Sequence, residues 1–291
     1  MRALLTVTQV LGRLLLIFSL TYLMPFACAL FYGDGTRMTF FASMLACIGA
    51  GGLLMLLTRR HRAELKARDG FMLVTLAWTL TAAIATVPLV LHQEMSFTDA
   101  FFETMSGLTT TGATVMTGLD TMAPSINLWR AELQWLGGMG IIVLAVAILP
   151  LLGVGGMQLL RAEVPGPIKD TKLTARIGDT AAILWTVYLG VTVACILALH
   201  LAGMSWLDAI CHAFSAMSLG GYSTRDASIG GFDSWAIEMV LTFFMVLAAM
   251  NFATHFTAWH DRSLRPYWRD AEARGVLGLL ALSCLGCGAY L

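Results

Sequence analysis

Apolar positions along this chain gather in long unbroken runs instead of alternating with polar ones. Runs at Leu4–Tyr32, Met38–Leu57, Phe71–Leu91, Trp129–Leu152, Thr180–Leu201 and Trp235–Trp259 each reach the roughly 20 residues that a helix needs to cross the hydrocarbon of a bilayer. A seventh, Val276–Leu291, is shorter. Backbone groups in lipid must satisfy one another, so runs of this length predict helices. The pattern predicts an all-α polytopic membrane protein with six complete spans and an incomplete seventh. The first run is too long for the core of a secretory signal and has no convincing cleavage site after Ala29, so it is expected to be retained.

Composition agrees. Hydrophobic residues make up 58% of the 291 positions and charged ones 12%, with a mean hydropathy of +0.76; a soluble domain is about half apolar and a quarter charged. Net charge is zero, so charge implies no nucleic-acid partner. The basic residues nevertheless cluster, at the amino end (Arg2, Arg13) and in Arg59–Arg68, Arg161–Arg176 and Arg262–Arg274. The excess of Lys and Arg on the cytoplasmic side of membrane proteins places these clusters, and the amino terminus, in the cytoplasm. Pairs of spans then separate successive clusters only if residues 91–128 and 201–234 stay on the outer side.

Those two outer segments repeat. Phe97–Val115 superimposes on Trp206–Thr224 at an offset of 109 without a gap, matching Asp99 to Asp208, Ser106 to Ser215 and Gly112 to Gly221. The register resumes with Trp129 over Trp235 and Glu132 over Glu238. Each copy opens on a helix-start signal, Thr98 or Asp99 in the first and Ser205 in the second. About ten residues follow, too few to cross the bilayer, and then a stretch rich in Gly, Thr and Ser. A short helix entering and an irregular backbone returning describe a re-entrant pore loop, since such backbone survives at membrane depth only against protein or a water-filled cavity. The stretches Thr109–Thr114 and Ser218–Ser223 carry no carboxylate. Backbone carbonyls that replace the hydration shell of a monovalent cation are the chemistry they suit, with glycine admitting the left-handed backbone needed to align them.

The segments LTTTGATV, LQWLGGMGIIVLAVAILPLLGVGG, AEVPGPIKDTKL, SLGGYSTRDAS and AAMNFATHF resemble successive landmarks of the TrkH type within the Trk/Ktr/HKT superfamily of potassium and sodium transporters. The resemblance implies low-affinity potassium uptake through a subunit of four helix–pore loop–helix repeats preceded by two extra helices. Ion-facing carbonyls would come from Thr110, Thr111 and Gly112 in the first repeat and from Leu219, Gly220 and Gly221 in the second. A glycine at position 112 is similar to potassium-favouring members. Two extra helices would then occupy 1–70, the first repeat 71–160, a cytoplasmic linker 161–178, the second repeat 179–260, and a loop with the first helix of a third repeat 261–291. With two repeats of four, the chain is expected to be a truncated or partial one. The resemblance further implies a bacterial inner-membrane location, a homodimer in contact with lipid, and a cytosolic nucleotide- or NAD-binding regulatory subunit of the TrkA type docked on the basic loops. No nucleotide motif stands in the chain; the ion carried, K+, is the one small ligand implied, and no other cofactor is expected.

Other polar residues have plainer expectations. Asp99 and Asp208 are expected to cap the short helices. Arg130 and Glu132, with Glu238 at the equivalent place, are expected to make interfacial ion pairs or caps, their side chains reaching to the surface. Gly137, Gly138 and Gly140, followed by Gly153, Gly155 and Gly156, predict close helix packing. Asn251 is expected to be buried and to hydrogen-bond between helices, and the histidines to be structural or solvated. Cys284 and Cys287 form a C-x-x-C inside an apolar run with no third ligand nearby, and a structural role is expected. The chain is not expected to be an enzyme: it has neither G-x-S-x-G nor H-E-x-x-H, and Ser218 and His212, six apart, face opposite sides of a helix. A non-transporting membrane assembly subunit is the alternative, though it would not require filter glycines twice at one offset.

Overall fold

The apolar runs fold as helices whose ends follow local chemistry. The computed structural model describes residues 2–59, 67–148 and 170–290. Much of the first two basic clusters, Gly153, Gly155, Gly156 and residues 161–169 of the expected linker 161–178 lie outside the described residues. Helices α1 (Arg2–Phe18) and α2 (Leu23–Tyr32) are joined by a tight 3-10 turn, Ser19–Tyr22. Gly33, at φ 63°, ends α2 by returning its N–H to the Ala29 carbonyl, a left-handed conformation natural to glycine. Then come α3 (Arg37–Thr58), α4 (Ala67–Ala85), α5 (Val87–His92), α6 (Phe97–Leu108) and α7 (Pro124–Ile148). Then follow α8 (Asp170–Leu201), which starts within the second basic cluster, α9 (Trp206–Met217), α10 (Trp235–Ala248), α11 (Phe252–His260), α12 (Arg265–Arg269) and α13 (Ala271–Tyr290).

Among the described residues, 4–32, 37–58, 69–92, 181–201 and 271–289 are long and apolar enough to cross a membrane. Two expectations change. The last helix begins five residues before Val276 and, at 20 residues, is long enough to span. The expected span Trp235–Trp259 is broken: α10 and α11 meet at 94°. Asparagine competes with the helical backbone for hydrogen bonds, and Asn251 leaves helical geometry (ψ 122°) to cap α11 through the Ala253 N–H. His255 braces the elbow, with Nε2 2.9 Å from the Leu247 carbonyl and Nδ1 2.7 Å from the Tyr267 hydroxyl. Asn251 is therefore exposed rather than buried, although it does bond between helices, donating to Glu272 at 3.3 Å.

Helix α7 is the member on which the rest converges, packing against α2, α6, α8 and α9. On one side its Trp129 is fully buried, stacked on Tyr22 at 4.5 Å and met by Phe18 and Phe40, while its indole N–H donates to the Ala85 carbonyl at 3.1 Å. On the other, Trp135 stacks on Phe214 and Tyr188 and donates to Thr192. These two indoles tie the amino-terminal helices and the second repeat to one strut, each ring burying a large apolar area. The amino-terminal end of α7 is clasped by Asp34, which accepts from the Ser125 N–H at 3.0 Å and from Thr36 through its N–H at 3.1 Å and its hydroxyl at 2.7 Å. Burial pushes the Asp34 carboxyl up, but these hydrogen bonds together outweigh it and hold the group below its ordinary value.

Candidate functional site: two paired loops

The two short helices, α6 and α9, are 12 residues each, about 18 Å at 1.5 Å per residue and well short of a span. Both are started by the same device. Ser96 and Ser205 accept from the N–H of Asp99 and Asp208, each at 3.1 Å, and donate back to the carboxylates at 2.7 and 2.8 Å. The caps are therefore the serines, which corrects the expectation for Asp99 and Asp208: their carboxylates sit in the first turn and accept the serine hydroxyls, and the first helix starts at Ser96, not at Thr98 or Asp99. Asp208 also accepts from the Thr224 hydroxyl at 2.6 Å.

Where the helices end, the candidate residues repeat one backbone conformation. Thr110 and Leu219 have φ of 56° and 54°, and Gly112 and Gly221 of 75° and 87°. The Thr110 and Thr111 N–H groups donate to the carbonyls of Gly107 and Ser106 at 3.0 and 2.9 Å; Leu219 and Gly220 donate to Ala216 and Ser215 at 3.1 and 2.9 Å. Every one of these positions lies 109 residues from its counterpart. A bulky residue at positive φ is uncommon, so its appearance at both 110 and 219 marks a conformation the surroundings impose. The structure brings the two copies into contact: a Cβ on Gly112 would run into the Gly220 carbonyl oxygen, and one on Gly220 would meet the Gln134 side chain. Gly221 faces open space within 4 Å, and Leu219 is exposed.

Each loop is then tied back to its own helix through equivalent positions with different side chains. Thr114 donates its hydroxyl to the Glu103 carboxylate at 2.9 and 3.0 Å, and Val115 adds its N–H at 3.1 Å. At the same places in the second copy, His212 Nε2 lies 2.9 Å from the Ser223 hydroxyl. His212 Nδ1 is 2.7 Å from the Asp208 carbonyl, which can only accept, so Nδ1 carries a proton and neutral His212 receives the Ser223 hydroxyl at Nε2. A His–Ser contact is what a nucleophile and base would make. Its counterpart is Glu103–Thr114, so the contact reads as a tether common to both loops. The signal for these tethers was present in the alignment: Glu103 and His212 are polar residues inside short apolar helices at the repeat offset.

Between the loops stands Arg130, 1% exposed. Its guanidinium pairs with Glu103 at 2.8 Å, donates to Thr114 at 3.1 Å and to the Ser223 carbonyl of the other loop at 3.3 Å, and lies 4.3 Å over the Tyr222 ring. Tyr222 donates its hydroxyl to the Glu103 carbonyl at 2.8 Å and its N–H to Gln134 at 3.2 Å. The expectation that Arg130 and Glu132 reach to the surface is overturned: both are buried, and Arg130 pairs with Glu103, not Glu132. About two turns along α7 from Arg130, Gly137 and Gly138 permit the close packing expected of them, the first against the Leu108 carbonyl and the second against Ser218. Further out, the Asp226 carboxylate accepts the N–H groups of Gly118 and Leu119 at 2.9 and 3.1 Å. Asp120 accepts the Asp226 N–H at 3.1 Å and the Arg225 guanidinium at 3.3 Å, and the first of these bonds leads in holding its carboxyl below the ordinary value.

The chain is similar to known proteins along almost its whole length. The chain is 48% identical over 286 residues to the Trk system potassium uptake protein TrkH of Vibrio parahaemolyticus, covering 97% of this chain and 59% of that protein. It is 50% identical over 277 residues to TrkH of Halomonas elongata, covering 94% and 58%, and 41% identical over 281 residues to TrkG of Escherichia coli, covering 96% and 58%. The crystal structure of the Vibrio parahaemolyticus potassium transporter TrkH aligns over 98% of this chain and 58% of its own, with a TM-score of 0.87 and 43% identity. The chain thus spans under three fifths of the length of these relatives. Residues 36–285, which hold both loops, both tethers and the strut between them, match the TrkH family described as cation transport proteins, and it is to that family that the chain belongs.

Proposed function

We propose that this chain contributes two repeats of a potassium pathway across the bacterial inner membrane. In this reading the carbonyls of Thr110, Thr111, Gly112, Leu219, Gly220 and Gly221 take the place of the water around K+. The observation that carries the reading is the paired loop geometry: two short helices end in the same left-handed turns, at one offset, in contact at Gly112 and Gly220. Oxygen dipoles without a carboxylate suit a weakly hydrated monovalent cation, whereas divalent cations favour carboxylate cages. The relatives' names as potassium uptake proteins support K+ as the cargo. With the amino terminus and basic clusters in the cytoplasm, K+ moves inward, drawn by about 2.3 kcal/mol per charge per 100 mV of membrane potential. The working assembly in this reading is a homodimer in lipid, with a TrkA-type nucleotide- or NAD-binding subunit on the cytoplasmic face; the chain acts as a transporter and not as an enzyme.

The test is growth on limiting potassium of a bacterium lacking its uptake systems. The chain is expressed alone and together with the carboxy-terminal part of the Vibrio relative, with membrane insertion verified. Growth in either arrangement, abolished by Gly112→Ser, is the expected result. Growth in neither favours a non-transporting assembly subunit.

A further inference from the structure

We propose that Arg130, seconded by Gln134, is the positioning residue that holds the second loop in register with the first, and that ion preference depends on this hold. The inference rests on the reading of the loops as an ion filter. Its ground is a division of labour on one guanidinium. Nε and Nη2 of Arg130 grip the first loop's tether, Glu103 and Thr114, while Nη1 grips the second loop at the Ser223 carbonyl. One turn along the same face of α7, Gln134 accepts the N–H of Tyr222, the residue before Ser223, and its side chain backs Gly220. The two contacts therefore bracket the stretch that follows Gly221. Tyr222 closes the circuit, its ring under the guanidinium and its hydroxyl on the carbonyl of Glu103.

Tyr222 itself also reaches the first loop, its hydroxyl donating to the Ala113 carbonyl at 3.3 Å, and further bonds between the repeats lie at the exposed rim, where Asp226 and Asp120 clasp the turns. At the depth of Gly112 and Gly220, the side chains of α7 that reach the second loop are, among the described residues, Arg130 and Gln134. The device is not repeated: in the resumed register the second repeat has Ala236 for Arg130 and Val240 for Gln134. A residue of general structural value in a helix–loop–helix unit would be expected in both copies; one that spaces two loops is needed once per boundary. Lysine cannot replace it. Its ammonium is a point charge without the planar fork that reaches partners on two sides. Arg130→Lys therefore keeps the charge against buried Glu103 but gives up the simultaneous grip. Because the loops touch at Gly112 and Gly220, a displacement of the second loop is felt at once where the carbonyls of both would meet one ion.

The experiment uses the full chain purified in detergent micelles, as wild type, Arg130→Lys, Glu103→Gln/Arg130→Gln and, as a control, Arg225→Gln in the exposed rim. Unfolding midpoints are compared in KCl and NaCl at equal ionic strength, and amide hydrogen exchange is followed in residues 111–118 and 219–226. Wild type and Arg225→Gln are expected to be more stable in KCl. Arg130→Lys, still folded, is expected to lose that difference and to exchange at least tenfold faster in the second loop. If Arg130→Lys does not fold, the doubly neutral variant, which leaves no unpaired buried charge, carries the same expectation. Unchanged exchange in 219–226 overturns the inference, and so does a potassium preference kept despite faster exchange. Absence of any potassium preference in wild type would instead strike the filter reading, while exchange in the second loop still decides whether Arg130 holds it.

Discussion

Gly112 and Gly221 occupy equivalent places, yet the structure predicts unequal consequences for the same change. Both have positive φ, 75° and 87°, so an alanine at either pays the left-handed penalty of about 1–2 kcal/mol. At Gly221 that is the whole effect, because nothing stands within 4 Å of the added methyl. At Gly112 the methyl is driven into the Gly220 carbonyl oxygen, with Gln134 Nε2 next at 3.8 Å. The obstacle is backbone, and it cannot swing aside as a side chain would. Overpacking of this kind costs about 1–3 kcal/mol more. Gly112→Ala is thus expected to cost about 2–5 kcal/mol against about 1–2 for Gly221→Ala. That difference of about 1–3 kcal/mol is roughly fivefold to 150-fold in the folding equilibrium constant. Equilibrium unfolding of the two purified variants in mixed micelles, followed by fluorescence of the eight tryptophans, measures it. Equal losses, or a larger loss at Gly221, would refute the asymmetric packing from which the magnitude is derived.

Two further predictions concern buried and outer acids. Glu132 is 4% exposed and its Oε2 has no hydrogen-bond partner among the described residues; a buried charge without a partner is costlier than a neutral amide, so Glu132→Gln should leave the unfolding midpoint unchanged or raise it, and a loss above about 2 kcal/mol would show that the carboxylate carries an interaction of its own. Asp34 has a lowered folded value, so its contribution is complete above the ordinary carboxylate value of about 3.9 and disappears as pH falls through the folded one. The stability difference between wild type and Asp34→Asn should therefore be steady near neutrality and shrink on acidification below that value; a difference that widens in acid would contradict the hydrogen bonds from Thr36 and Ser125.

What could be read from the chain alone was local. Apolar runs near 20 residues specify helices because the bilayer offers the backbone no other partner, and the run Met38–Leu57, which forms Arg37–Thr58, needs no tertiary contact to declare itself. The Ser205–Asp208 cap is equally local, four consecutive residues satisfying one helix end. The offset of 109 sets Gly112 over Gly221 from the residues alone. Hydropathy failed at Asn251, where a single residue within an apolar run turns the chain by 94°; the average over a window is blind to one side chain that bonds to its own backbone. It failed again at Arg130. Charge in an apolar segment is expected at the surface because an isolated ion is costly in lipid, but a partner removes that cost, and Glu103 lies 27 residues away with Ser223 a further 93 beyond Arg130. The sequence by itself determined most of the spans, the repeat and the place of its two short helices, since those rest on neighbours along the chain. Only the tertiary structure decided which polar groups meet inside the membrane, because that depends on helices brought together from distant places and no local pattern records the meeting.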